Sequence, residues 1–274
     1  VFFGTVESSR GDSKRQADCM KYNTILITRE EGHAVLTLNR PGEMNALSIE
    51  MRHELLHCFN ELEKDDLVRA VILTGGDNVF SAGIDLDEIS ALLDDEFENY
   101  MRIMIKNLQK IYTFRKPVIA AVSGIALGGG FNLVTVCDMV IASETAIFGH
   151  PELKFGLNPL FDPLRRIVGT AKAKEIAMLG EPIGAREALR IGLVNKVSPP
   201  EKFMEDAVSV AGEISRRPAR AVEAVKRISD IVPRLDKATA LEYEFEITAL
   251  LFSRAEIRKH MKQFFDKLKS RKKL

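Results

Sequence analysis

The chain has 274 residues, 46% of them hydrophobic, with 39 Lys and Arg balanced by 39 Asp and Glu. That is the composition of an ordinary globular protein of one large or two modest domains, whose core needs no disulfide or metal staple. Zero net charge argues against a nucleic-acid binder relying on overall positive charge, and no apolar run reaches the roughly 18 residues of a membrane helix.

Residues 1–19 show no periodicity and carry no signal-peptide pattern; they are expected to be a mobile extension, with the fold starting near Met20. Thr24–Thr28 and Ala34–Leu38 read as strands joined by a turn at Glu30–Gly32. Ser48 caps a helix running to about Lys64. Ala70–Thr74 and Pro117–Ser123 are short apolar runs of the kind found in buried strands, and a helix spans about Leu92–Phe114 between them. Met139–Ala142 and Ala146–Phe148 are further strands. The alternation predicts an α/β core over residues 20–200. After Ser198–Pro199–Pro200 the strand signal ends, and helices at 201–215, 218–231, 236–252 and 254–270 form a helical C-terminal region, 201–274. The three widely spaced cysteines, Cys19, Cys58 and Cys137, form no CxxC. They suggest a reducing intracellular compartment, such as cytoplasm, mitochondrion or peroxisome.

His53–Glu54–Leu55–Leu56–His57 matches HExxH, in which two histidines on one helix face bind zinc and the glutamate serves as base. At about 100° per residue, however, Met51, Leu55, Phe59 and Leu62 gather on one side and the histidines fall opposite, toward water. The extension that would supply a third ligand is absent, because Asn60 and Glu63 stand at its glycine and histidine positions. Two solvent-facing histidines and no metal are therefore expected.

Three other segments combine into a site. Gly128–Gly129–Gly130 follows a buried strand, where glycines let a backbone approach a ligand and expose N–H groups at a helix start. It matches neither the phosphate loop nor the dinucleotide fingerprint. Phe80–Ser81–Ala82–Gly83–Ile84–Asp85 also follows a strand and has small residues where a backbone must turn. In His150–Pro151–Glu152 the carboxylate follows a strand end, and His150 reads as a structural histidine. Two N–H donors can hold a developing oxyanion while one carboxylate moves a proton.

Together these segments resemble the crotonase superfamily, the enoyl-CoA hydratase/isomerase family. The resemblance rests on Leu38–Asn39–Arg40–Pro41 with Asn45–Ala46–Leu47, on the segment 80–86, and on 117–130, which reads PVIAAVSGIALGGG. Cys137–Asp138, Phe148–Gly149, Pro151–Glu152 and Gly192–Leu193–Val194 follow in the family's order and spacing, over about residues 21–270.

The resemblance implies a crotonase-like α/β spiral of ββα units with a C-terminal helical trimerisation region. It implies a homo-oligomer, trimer or hexamer, acting on acyl-CoA thioesters as in β-oxidation of fatty acids. Coenzyme A would be part of the substrate, with no separate cofactor, nucleic acid or membrane partner. The oxyanion hole would be the backbone N–H groups of Ile84 and Gly129. Ala82, Asp85, Leu86 and Gly128 would bind substrate, and Glu152 would be the catalytic carboxylate. The family's hydratases use a second glutamate, and at its position stands Asn132, a polar partner that cannot take a proton at neutral pH. One carboxylate suffices to remove a C2 proton and return it at C4. The resemblance therefore favours 3-enoyl-CoA to 2-enoyl-CoA isomerisation over hydration, a lyase reaction. Thioester hydrolysis or decarboxylation on the same scaffold, a zinc hydrolase, and a silent acyl-CoA-binding member are the alternatives.

Two further departures bear on substrate. Residues 157–164 replace the family's glycine-rich segment and run shorter, with Asp162 expected to cap a helix ahead of Pro163. Gly42 and Asp87 replace two lysines common near the CoA phosphates, leaving Arg40 or a C-terminal lysine to serve. From Arg254 to Leu274 nine Lys and Arg face two Asp and Glu, so the overall neutrality conceals a basic tail.

Overall fold

The computed structural model describes residues 22–271; the expected extension, 1–19, and the last three residues lie outside the described residues. The first hairpin pairs β1 (Ile25–Glu30) with β2 (His33–Leu38), antiparallel, from Ile25 opposite Leu38 to Glu30 opposite His33. Helix α1 (Ile49–Lys64) follows. The Ser48 side chain accepts the Met51 N–H, meeting one of the donors a helix start leaves open. Met51, Leu55, Phe59 and Leu62 are buried, and His53 and His57 are exposed, as the helical periodicity requires.

The chain then lays down β3 (Ala70–Thr74), α2 (Leu86–Ala91), α3 (Phe97–Tyr112), β4 (Val118–Val122), β5 (Ile125–Leu127), α4 (Gly129–Thr135), β6 (Met139–Ser143) and β7 (Ile147–Gly149). Next come α5 (Asp162–Val168), α6 (Thr170–Leu179), β8 (Ile183–Gly184), α7 (Ala185–Arg190) and β9 (Lys196–Ser198). One sheet has the order β1-β2-β3-β4-β6-β9, parallel apart from β1, and a smaller sheet has the order β5-β7-β8. The path repeats. β4 in the large sheet turns at once into β5 in the small one and then α4, and β6 turns likewise into β7. Ser81 after β3 bridges Ala126 of β5 and continues the pattern. These are the strand–strand–helix units of the expected spiral. Every residue of β3 and β4 is buried, which accounts for their unbroken apolar sequences.

The helix expected over Leu92–Phe114 is two pieces. Leu92 ends α2 in an extended conformation, and the acidic run Asp94–Asp95–Glu96 carries the turn before α3. Asp162 is the first residue of α5 and caps no N–H; its carboxylate pairs with Arg165 and Arg166.

The last helices are α8 (Phe203–Ser215), α9 (Ala219–Ile231), α10 (Lys237–Phe252) and α11 (Ala255–Arg271). Phe203, Ala207 and Ala211 of α8 pack on Ala70, Ile72, Ile119, Ala121 and Ile141, closing one face of the large sheet. The main core on the other face includes Leu36, Leu73, Val118 and Val140 with the buried side of α1. Lys226 ties α9 to the core through Asp138 (2.7 Å) and the Lys116 carbonyl (3.2 Å). α10 buries none of its residues.

Candidate active site

The sequence-predicted site residues come from three connections that leave the ends of parallel strands. The first, after β3, contains Ala82–Gly83–Ile84–Asp85. Ala82 N–H donates to the Met44 carbonyl (2.9 Å), Gly83 N–H to Ser81 Oγ (3.1 Å), and Leu47 N–H to the Gly83 carbonyl (2.7 Å). The second is the β5–α4 junction. There Gly128 N–H donates to the Gly149 carbonyl and Asn132 N–H to the Gly128 carbonyl. Among the described residues, neither Ile84 N–H nor Gly129 N–H has an acceptor. Gly129 N–H is open as the first N–H groups of a helix ordinarily are, whereas Ile84 N–H lies outside any helix.

The two connections touch. A Cβ at Gly83 would lie 2.9 Å from Gly129 N and 2.6 Å from the Leu127 carbonyl oxygen, and Gly83 has φ +101°, so only glycine fits there. The third connection brings in Glu152, in a short 3₁₀ turn after β7. Its residue is 6% exposed, and a Cβ at Gly128 would be 3.5 Å from its Oε1. The carboxylate therefore stands against the residue that precedes the Gly129 donor. Its Oε2 is buried without a partner, and its Oε1 is 3.3 Å from His150 Nδ1. His150 is fully buried, its ring 4.6 Å from that of Phe131.

Asn132 is buried on α4, in the same helix as the Gly129 donor, with Oδ1 unpartnered. Asp85 is not free for proton transfer. Its Oδ2 accepts from Arg40 Nη1 (2.6 Å) and its Oδ1 from Glu88 N–H (3.2 Å), capping α2. Partial burial alone would raise the Asp85 carboxyl, but these two contacts outweigh it and hold the group below its ordinary value. Leu86 beside it is exposed, as are Phe97, Met101 and Ile105 of α3 and Leu153, Phe155 and Leu157 beyond Glu152.

The HExxH residues lie elsewhere in role. Glu54 accepts from Asn23 N–H and Thr24 N–H and clamps the start of β1, while His57 Nδ1 pairs with Tyr22 Oη at 3.0 Å. Among the described residues no cluster of three His, Cys, Asp or Glu side chains could hold a metal ion.

Three features escape sequence reasoning. One is the Arg40–Asp85 pair, and another is the approach of His150 to Glu152. The third is Arg52, buried with both Nη atoms unpartnered and its guanidinium 4.6 Å from the Tyr100 ring centre. Burial pulls the Arg52 pKa down, and Tyr100 opposes that. No local signal announces a buried arginine. Its helical position, one after Met51, was the available hint.

Two unpaired N–H donors on abutting segments, with one buried carboxylate beside them, suit chemistry on a carbonyl compound. A family model described as enoyl-CoA hydratase/isomerase matches residues 28–273. A short-chain-enoyl-CoA hydratase of Clostridium acetobutylicum is 38% identical over 254 residues, covering 91% of this chain and 97% of the relative. A crotonyl-CoA hydratase of Syntrophomonas wolfei is 36% identical over 255 residues, covering 92% and 98%. Among solved structures, an enoyl-CoA hydratase from Bacillus anthracis superposes with a TM-score of 0.86 at 29% identity, covering 89% of this chain and 97% of that one. The family model and these relatives show that the chain belongs to the enoyl-CoA hydratase/isomerase family, as an enzyme of the crotonase superfamily.

Proposed function

We propose that the enzyme shifts the double bond of an enoyl-CoA, converting a 3-enoyl to a 2-enoyl thioester, with Glu152 as the single proton carrier. The observation that carries this reading is one buried carboxylate, with an unpaired oxygen, against the segment that bears an open N–H donor. Ile84 and Gly129 N–H groups receive the thioester oxygen as it gains charge; each such donor is worth about 2.7–4 kcal/mol in the transition state. Glu152 takes a proton from C2, the electron pair delocalises as a dienolate, and the protonated Glu152 returns the proton at C4. The bond moves from C3–C4 to C2–C3, and the enzyme ends as it began.

Asn132 supports the single-carrier form, because its amide orients a polar group without exchanging a proton. A second reading, hydration of a 2-enoyl-CoA, is favoured by the relatives, both of those described above being named hydratases. In that reaction Glu152 takes a proton from water as oxygen adds to C3 and delivers a proton to C2.

The same reading includes a homo-oligomer. α10 leaves Leu241 and Phe245 71% and 75% exposed, a face that a further copy of the chain would cover. Light scattering of the purified protein tests this. A panel of 3-enoyl- and 2-enoyl-CoA thioesters of graded length, followed for double-bond migration and for water addition, tests the reaction. Migration without water addition is expected, and water addition as the sole activity refutes the isomerase reading.

A further inference from the structure

We propose that Arg40 and Asp85 are positioning residues for the Ile84 N–H donor; this rests on the reading above, in which that donor receives the thioester oxygen.

Ile84 lies in no helix and no extended strand; a single isolated parallel bridge to Leu47 is its sheet pairing, so no continuous ladder holds its N–H in place. What holds it is the neighbouring segment 44–47, through Ala82 N–H to the Met44 carbonyl and Leu47 N–H to the Gly83 carbonyl. That segment is itself irregular, with Met44 and Asn45 both at positive φ (50° and 52°). It therefore needs its own fastening. Arg40 Nη1 donates both to the Ala46 carbonyl (2.9 Å) and to Asp85 Oδ2 (2.6 Å). One guanidinium nitrogen thus joins segment 44–47 to Asp85, the residue after Ile84.

The rest of the polar network leads to the same place. Asn45 Oδ1 accepts Arg40 N–H, and Asn45 Nδ2 reaches the Gly75 and Val79 carbonyls. Ser81 Oγ donates to the Asn45 carbonyl and accepts Gly83 N–H. The Asp85 side chain is 9% exposed and that of Arg40 22%, so the pair is shielded from the screening that weakens surface ion pairs. A loop donor must stand within a few tenths of an ångström of its working position. A short, shielded, charge-assisted contact across the loop supplies that stiffness. Asp85, adjacent to Ile84 with both oxygens engaged, acts through the backbone rather than on the substrate.

The experiment uses 2,4-hexadienoyl-CoA, whose conjugated thioester absorbs further to the red when its carbonyl oxygen is polarised. Arg40→Gln, Asp85→Asn and the double variant are compared with the wild type for red shift on binding, kcat and KM. Deleting an oxyanion donor costs about 10²–10³-fold, so loosening one is expected to lower kcat about ten-fold. KM is expected to stay within about two-fold, most of the red shift should be lost, and the double variant should be no worse than either single one. Arg40→Lys, which keeps the charge but not the planar fork, restores part of both signals and serves if Arg40→Gln fails to fold. Glu152→Gln keeps the red shift while losing turnover, which separates proton transfer from polarisation. Unchanged kcat and red shift in both single variants overturns the proposal. So does a rise in KM confined to Arg40→Gln, which would assign Arg40 to the CoA phosphates. If the wild type binds the probe without any red shift, the oxyanion reading falls and takes this proposal with it.

Discussion

Gly83→Ala probes the junction of the two donor segments directly. The new methyl would sit 2.6 Å from the Leu127 carbonyl oxygen and 2.9 Å from Gly129 N, both backbone atoms. Ordinary van der Waals contact begins at 3.4 Å, so the segments must part by about 0.5–0.8 Å. The φ of +101° adds strain of about 1–3 kcal/mol, and overpacking about 1–3 kcal/mol more. The expected cost is therefore about 2–6 kcal/mol of stability, or a fall in Tm of roughly 4–24 °C for a chain of this size. The consequence for turnover is separate. A misplacement approaching 1 Å at a reacting centre costs up to about 10²-fold in rate, because both donors ride on the segments being pushed apart. Gly192→Ala is the control. Gly192 also has positive φ (80°) but nothing within 4 Å of its added Cβ, so it carries the strain without the clash. Thermal melts and kcat per folded molecule, measured on both variants at a temperature where both are folded, give the comparison. A Gly83→Ala enzyme with the turnover of Gly192→Ala would refute the placement of the oxyanion hole at this junction.

Four further outcomes are expected. Glu152→Gln lowers turnover by about 10²–10⁴-fold while acyl-CoA binding, read by calorimetry, persists; near-normal rates would remove Glu152 from the chemistry. Asn132→Glu raises the ratio of water addition to double-bond migration, because a second proton-accepting group is then present on α4; an unchanged product ratio counts against the single-carrier explanation. Prolonged incubation with a chelator leaves activity intact, whereas loss in proportion to zinc removed would revive the role of His53 and His57. Because the folded Asp85 carboxyl lies below its ordinary value of 3.8, its contribution to stability is full above that value and is lost as pH falls through the lower folded one. Asp85→Asn therefore flattens the acid limb of the denaturation midpoint against pH, and an acid limb as steep as the wild type's would contradict the assignment.

Much of the architecture is local in origin and so was legible. The α1 helix follows from Ser48 at its cap and apolar residues at helical spacing. β3 and β4 follow from runs too apolar for any half-exposed strand. The same helical spacing sent His53 and His57 to solvent. Boundaries set by competition were less legible. Leu92–Phe114 is apolar enough for one helix, but Leu92 ends α2 and the acids after it carry a turn.

By itself, then, the sequence determined most of the strands and helices and which of their faces are buried, and it pointed to Glu152 and two glycine-bearing loops as the chemically interesting places. Only the tertiary structure decided that these places meet. Gly83 abuts Gly129 because Ser81 bridges Ala126 and Leu127 N–H bonds to the Ser81 carbonyl, long-range pairings that no local pattern encodes. The Arg40–Asp85 contact and the burial of Arg52 against Tyr100 have the same origin. Each puts a polar or charged group where sequence statistics expect water. The physical reason is that groups distant in the chain, a carboxylate for Arg40 and an aromatic face for Arg52, offset part of the cost of burial, and they are in reach only once the spiral has closed.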